Sequence, residues 1–140
     1  MIIVANKIDL IGKNQAKKLF GHYPELGYPV IYTSAIKGQG IGKLSNILQG
    51  KLSVFAGPSG VGKSSLLNAV QPALGLQVSE VSQATGKGRH TTSVREMFPL
   101  KDGGYVADTP GLKALALWDI EPEEIDGYFP EIAALVPACQ

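Results

Sequence analysis

Gly57-Pro58-Ser59-Gly60-Val61-Gly62-Lys63-Ser64 is the stretch on which the reading of this chain turns. Two glycines with four residues between them, then a lysine and a hydroxyl residue, make a phosphate-binding loop where a strand leads in and a helix leads out. Leu52 to Ala56 has the composition of a short strand, and Lys63-Ser64-Ser65-Leu66-Leu67-Asn68-Ala69-Val70 that of a helix, so both conditions are met. The glycines let the backbone curl until successive N–H groups converge on phosphate oxygens, and the helix beyond presents its positive N-terminus. Lys63 is expected to reach the β- and γ-phosphates and the Ser64 hydroxyl to bind Mg²⁺, within a nucleotide-binding stretch running from Gly57 through Ser65. A glycine-rich strand-to-helix turn without a ligand fits the same pattern. The loop by itself separates neither ATP from GTP nor a kinase from a hydrolase.

Upstream of the loop, strand-like and helix-like segments alternate. Ile2 to Ala5 is an apolar run that reads as a strand buried in a parallel sheet, and a polar loop, Asn6-Lys7-Ile8-Asp9, follows its carboxyl end. Lys13 to Phe20 is helix-compatible; Gly21, Pro24 and Gly27 break it up before Pro29 to Thr33 reads as a second strand. Ile41, Leu44, Ile47 and Leu48 recur at helical spacing, with Gly50 closing that helix. Parallel α/β sheets carry their ligand loops at strand carboxyl ends, where Asn6 to Asp9 lies. The Asp9 carboxylate can accept from N1–H and the 2-amino group of guanine, donors that adenine lacks in that arrangement, and such bonds reject an analogue by roughly 10⁴–10⁵. Asn6 can support the loop and the base edge, the Lys7 stem can lie over the purine plane, and Ile8 completes the loop. Four common polar-turn residues would mean little alone. Ser34 and Ala35, after Thr33 at the end of the next strand, add weight, because the Ala35 N–H is then placed to reach the guanine O6. Together these loops specify GTP.

Downstream, Gln71 to His90 is polar and without clear period, the look of a mobile connection that carries function. Thr92 to Leu100 and Tyr105 to Ala107 flank Lys101-Asp102-Gly103-Gly104, and the Asp-Gly pair signals a hairpin. Asp108-Thr109-Pro110-Gly111 ends its second strand. Asp108 is expected to partner Mg²⁺ opposite Ser64, and the Gly111 N–H to sense the γ-phosphate. Gly86 to Thr92 is basic, glycine-loosened and rich in hydroxyls, so a threonine can complete the Mg²⁺ shell, Thr92 in preference to Thr91. Lys87 and Arg89 read either as a solvated loop or as contacts to phosphate or RNA. The tail from Lys113 is expected to be helical, with Pro122 near one helix start and Pro130 interrupting.

Composition bounds the rest. A length of 140 residues suits one domain, and 44% hydrophobic with 18% charged residues predicts a folded core, not disorder. Thirteen basic and twelve acidic residues give +1, so any nucleic-acid contact has to come from a local patch. A single cysteine, Cys139, excludes an internal disulfide and fits a reducing cytoplasm. No apolar run nears the ~18 residues of a membrane span, and Met1 to Ala5 meets Asn6 and Lys7 too soon for a signal peptide. A soluble cytoplasmic monomer without membrane contact is expected.

Ordinary small GTPases present the phosphate loop, switch threonine, Asp-x-x-Gly, Asn-Lys-x-Asp and Ser-Ala in that order. Here Asn6 to Asp9 and Ser34-Ala35 come first, so the order is circularly permuted. With Gly57 to Ser65, Gly88-Arg89-His90-Thr91-Thr92 and Asp108 to Leu112, this arrangement resembles the RsgA (YjeQ) family of bacterial ribosome-assembly GTPases over essentially the whole chain. The resemblance implies a permuted G domain with a mostly parallel sheet and helices on both faces. It also implies hydrolysis of GTP to GDP in late maturation of the small ribosomal subunit, stimulation by that subunit, and contact with ribosomal RNA. A nucleotide-gated RNA or ribosome-binding module with negligible catalysis is the alternative. Leu112 stands where Ras-like enzymes carry a water-orienting glutamine, so hydrolysis needs another group, and His90 is the nearest candidate, unless it is a surface or RNA-contacting residue. Intrinsic turnover of about 10⁻³ s⁻¹ or less is expected, with a partner adding roughly 10³–10⁵, or about 4–7 kcal/mol. Family members usually carry an N-terminal OB-type barrel and a C-terminal zinc domain. Cys139 matches the first zinc ligand, and one thiolate cannot hold Zn²⁺ without the rest of that domain. The expected organisation is a G domain over residues 1–137, lacking one strand and helix upstream, and the start of a truncated zinc domain over 138–140.

Overall fold

The computed structural model describes residues 1–76, 96–108, 121–133 and 135–138. Its first half alternates strand and helix: β1 (Ile3–Ala5), α1 (Lys13–Phe20), β2 (Val30–Tyr32) and α2 (Ile41–Leu48). The second half runs β3 (Leu52–Phe55), α3 (Lys63–Val70), β4 (Glu96–Pro99), β5 (Tyr105–Asp108) and the short α4 (Pro130–Ala133). 3₁₀ segments lie at Tyr23–Leu26, Pro72–Leu74, Pro122–Tyr128 and Val136–Ala138.

The five described strands form two sheets, each with a parallel pair. β1 pairs parallel with β2, Val4 opposite Ile31, while β3 pairs parallel with β5, and β5 antiparallel with β4. No described strand bridges β1 to β3, so the ladder is interrupted between the two halves. Helices join them instead. Leu44 and Leu48, one turn apart on α2, are buried with Ile31 of β2 and Leu66 of α3, and Val4, Ile41, Phe55 and Val70 pack around them. Each such side chain contributes roughly 1.5–3 kcal/mol of hydrophobic stabilisation, so this cluster is the mechanical joint of the molecule. On the other side, α1 packs along β2 with Ala16 buried.

The expected hairpin is present. Leu100 N–H donates to the Gly104 carbonyl and Gly103 N–H to that of Leu100, both at 3.0 Å. Its turn is tied to the turn before β3 by Gly50 N–H donating to the Gly103 carbonyl at 2.9 Å. Gln71, at the end of α3, grips the same hairpin: Nε2 donates to the Pro99 carbonyl at 3.2 Å and Oε1 accepts from Lys101 N–H at 2.7 Å. The start of the segment read as a mobile connection is therefore ordered, since Pro72–Leu74 makes a 3₁₀ turn and Asn68 holds Leu76 by both backbone groups. Pro130 opens α4 instead of interrupting a helix, as suits a residue whose missing N–H is an orphan at a helix start. Among the described residues no helix is long and apolar enough to cross a membrane.

Candidate nucleotide site

β3 delivers the chain into the loop Gly57 to Gly62, and α3 begins at Lys63. The Lys63 ammonium turns back over the loop, donating to the carbonyls of Gly57 at 2.8 Å and Pro58 at 3.0 Å. That holds the Lys63 cation against the carbonyls at the start of the loop. Ser64 and Ser65 follow in the first turn of α3, both half-buried.

The base-recognition loop lies directly against this one, although more than fifty residues separate them. Asn6 Nδ2 donates to the Val61 carbonyl at 3.0 Å, and Lys7 Nζ to the Gly60 carbonyl at 2.7 Å. Asn6 also accepts at Oδ1, from Thr33 Oγ1 at 3.2 Å and from Ala35 N–H at 3.3 Å. One carboxamide thus uses donor and acceptor sides to fasten three loops together. Lys7 has φ +64°, uncommon for a side-chain-bearing residue, and its bond to Gly60 offsets that cost. Ser34 Oγ donates to Asp9 Oδ1 at 2.5 Å, which orients the exposed carboxylate and leaves acceptor capacity on it. Ile8 is buried beneath the loop and its N–H donates to the Thr33 carbonyl at 3.1 Å.

The structure therefore brings together Asn6, Lys7, Ile8, Asp9, Ser34, Ala35 and the loop from Gly57 to Ser65. The structure pairs the Ala35 N–H with the Asn6 carboxamide oxygen. It adds Thr33, whose side chain is fully buried and whose hydroxyl fixes the orientation of the Asn6 amide. A threonine at a strand end directly before Ser-Ala was the available signal. Asp108 closes β5 in register with Phe55 of β3, two residues before the phosphate loop begins. Ser64 in the first turn of α3 and Asp108 at the end of β5 are oxygen-bearing residue types of the kind that hold Mg²⁺ jointly with phosphate oxygens. Such an ion would supply positive charge against the phosphates. Among the described residues no cluster of three His, Cys, Asp or Glu side chains forms a separate metal site. His90, Thr91, Thr92, Gly111, Leu112 and Cys139 lie outside the described residues.

Residues 1–118 match the family described as RsgA GTPase. The chain is 52% identical over 139 residues to the small ribosomal subunit biogenesis GTPase RsgA of Moorella thermoacetica, covering 99% of this chain and 48% of that one. It is 45% identical over 138 residues to the protein of the same name from Gemmatimonas aurantiaca, covering 99% and 45%. The fold is similar to the crystal structure of YjeQ from Thermotoga maritima, with TM-score 0.69 and 42% identity over 93% of this chain and 43% of that one. It is also similar to YloQ, described as a circularly permuted GTPase, with TM-score 0.67 and 34% identity over 99% of this chain and 43% of that one. The chain spans about half the length of the curated relatives it matches.

Proposed function

The chain belongs to the RsgA GTPase family, and from that premise we propose that it binds GTP with Mg²⁺, hydrolyses it to GDP and phosphate, and acts on the maturing small ribosomal subunit. The observation that carries the nucleotide reading is the fastening of the base loop to the phosphate loop through Asn6–Val61 and Lys7–Gly60. A ligand with a purine at one end and phosphates at the other fits two loops held at a fixed separation, and the Asp9 carboxylate selects guanine. Lys63 and the Gly57 to Gly62 backbone hold the phosphates, Ser64 and Asp108 hold the cation, and Gly111 and a threonine of the preceding segment sense the γ-phosphate. His90 positions the attacking water, because Leu112 offers no polar atom to do so. The relatives' name, small ribosomal subunit biogenesis GTPase, supports the choice of partner. We place the protein in the cytoplasm as a monomer that contacts ribosomal RNA. Zinc belongs to the reading only where a longer chain supplies ligands besides Cys139.

Titration with labelled GDP, GTP and ATP tests this directly, with guanine nucleotides expected to bind and ATP not to compete. Asp9→Asn is expected to shift preference toward xanthine nucleotides, whose 2-oxo group accepts where guanine donates. Unchanged nucleotide choice in that variant removes the base-site assignment. Turnover measured with and without small subunits tests the partner, and a rate indifferent to them removes it.

A further inference from the structure

We propose that Asn68 and Gln71 are positioning residues for GTP hydrolysis: from the end of α3 they hold both roots of stretch 77–95 and govern turnover without touching the nucleotide. Asn68 lies in the last turn of α3, and Gln71 caps that helix, its N–H donating to the Leu67 carbonyl at 2.8 Å. The Asn68 carboxamide takes both backbone groups of Leu76: Nδ2 donates to the carbonyl at 2.8 Å and Oδ1 accepts from the N–H at 2.9 Å. The Gln71 carboxamide takes the far root, donating to the Pro99 carbonyl at 3.2 Å and accepting from Lys101 N–H at 2.7 Å. Each amide is thus oriented by one donor and one acceptor. Between these roots the sequence carries His90, Thr91 and Thr92. The inference rests on the proposed function, which gives those residues to the attacking water and the γ-phosphate.

The carboxamide bonds are not needed to fold the elements they join. β4 is already held to β5 along four residue pairs, the hairpin turn is closed between Leu100, Gly103 and Gly104, and the turn Pro72–Leu74 is closed by its own backbone. Leu100 also packs against the core around Leu66. What the carboxamides add is location, because they tie both roots to the helix whose first turn carries Lys63 and Ser64. At 1.5 Å per residue, about 6 Å of helix separates Ser64 from Asn68 and about 10 Å separates it from Gln71. Neither clamp shares a partner with the bonds that fasten the nucleotide loops. A connecting stretch with fixed ends searches less space than one tethered by its chain alone, and a misplacement of about 1 Å costs up to about a hundredfold in rate. The rival is a purely structural role, in which the bonds stabilise the hairpin and leave the chemistry alone.

The test is GTP turnover by the full chain over a range of substrate concentrations, alongside GDP binding and thermal unfolding. Asn68→Leu combined with Gln71→Met keeps side-chain size and removes both clamps. In that pair kcat is expected to fall about tenfold, with KM for GTP changing by no more than about twofold and GDP affinity unchanged. Asn68→Asp with Gln71→Glu keeps an acceptor for each backbone N–H and is expected to recover part of the lost rate. Tyr28→Phe controls for stability, and is expected to lower the melting temperature while leaving kcat as it was. An apolar pair that melts lower yet keeps the wild-type kcat overturns the proposal and leaves the bonds to stability alone. GDP affinity that falls in step with kcat overturns it too, since the damage then reaches the nucleotide loops. Should the pair not fold, Gln71→Met alone carries the test, with a fall of about threefold expected and an unchanged kcat again overturning it. A wild-type chain that neither binds guanine nucleotide nor hydrolyses GTP would instead strike the proposed function, so the two failures are told apart.

Discussion

Gly62 sits at φ +94°, and a Cβ there would stand 2.5 Å from Asn6 Nδ2. Displacing the end of a side chain is ordinarily cheap, but this amide is held by Val61, Thr33 and Ala35 together, so moving it unfastens all three loops. Gly62→Ala is therefore expected to lower affinity for labelled GDP by roughly tenfold to a hundredfold, or about 1.4–2.7 kcal/mol. Backbone strain at positive φ accounts for only part of that loss. Gly60, at φ +82° with nothing near its hypothetical Cβ, provides the comparison in thermal unfolding of the ligand-free protein. Gly62→Ala is expected to cost about 1 kcal/mol more than Gly60→Ala, the typical worth of a hydrogen bond. A double-mutant cycle isolates the cause: once Asn6→Ala has removed the amide, adding Gly62→Ala costs less. Additive effects would show that Asn6 does not transmit the clash.

At the scale of elements, the hairpin strands and the helices are held by contacts that differ in how much of them could be read in advance. The spans Lys13–Phe20 and Lys63–Val70 follow from composition and flanking glycines, and the Asp-Gly pair announced the β4–β5 turn. Their attachments were hidden, because a backbone carbonyl such as that of Val61 or Pro99 has no residue identity to recognise. The hydrogen bond from Tyr28 Oη to Glu131 Oε2, at 2.9 Å across 103 residues, was equally out of reach of local pattern. This bond docks α4 beside the entry to β2, and it is sensitive to pH. Burial first, then the bond to Glu131 and its charge, raise the Tyr28 phenol above its ordinary pKa of 10.0. The folded protein holds that proton more tightly than the unfolded chain does. The stabilisation is complete below pH 10 and is lost as pH rises through the raised value. Tyr28→Phe is expected to melt below the wild type at neutral pH, with the gap closing in alkaline solution; a constant gap would deny the linkage. Gly104 carries a second element-scale test. Its φ is +92°, and an added Cβ would meet the Lys51 carbonyl oxygen at 2.5 Å and the Lys51 nitrogen at 2.7 Å, neither of which can swing aside. Gly104→Ala is expected to destabilise the fold by about 2–4 kcal/mol in denaturant unfolding, since it forces β5 away from β3.

For the molecule as a whole, the consequence of two sheets is that the base loop belongs to one half and the phosphate loop to the other. Between them stand the core around Leu44, Leu48 and Leu66, together with the Asn6 and Lys7 bonds. The open face of the β3–β5–β4 sheet adds no cohesion, since Leu52, Val54, Met97 and Tyr105 on it remain exposed. Under the proposed function a guanine nucleotide would be a third joint, one molecule reaching from Asp9 to Lys63, and its binding energy would also be cohesion between the halves. At a hundred times its Kd, GDP is expected to raise unfolding free energy by about 2.7 kcal/mol. Leu66→Ala, which hollows a site only 4% exposed, is expected to remove about 2–5 kcal/mol. If that core is what holds the loops at their working distance, the variant must lose GDP affinity as well, although Leu66 is not among the residues assigned to the nucleotide. The decisive comparison uses guanosine and pyrophosphate supplied as separate molecules. Each needs only one half, so their affinities are expected to survive Leu66→Ala where that of GDP falls. Equal losses for the fragments and the intact nucleotide would mean that the substitution damages one loop locally, and the two halves would have to be regarded as already rigid without the ligand.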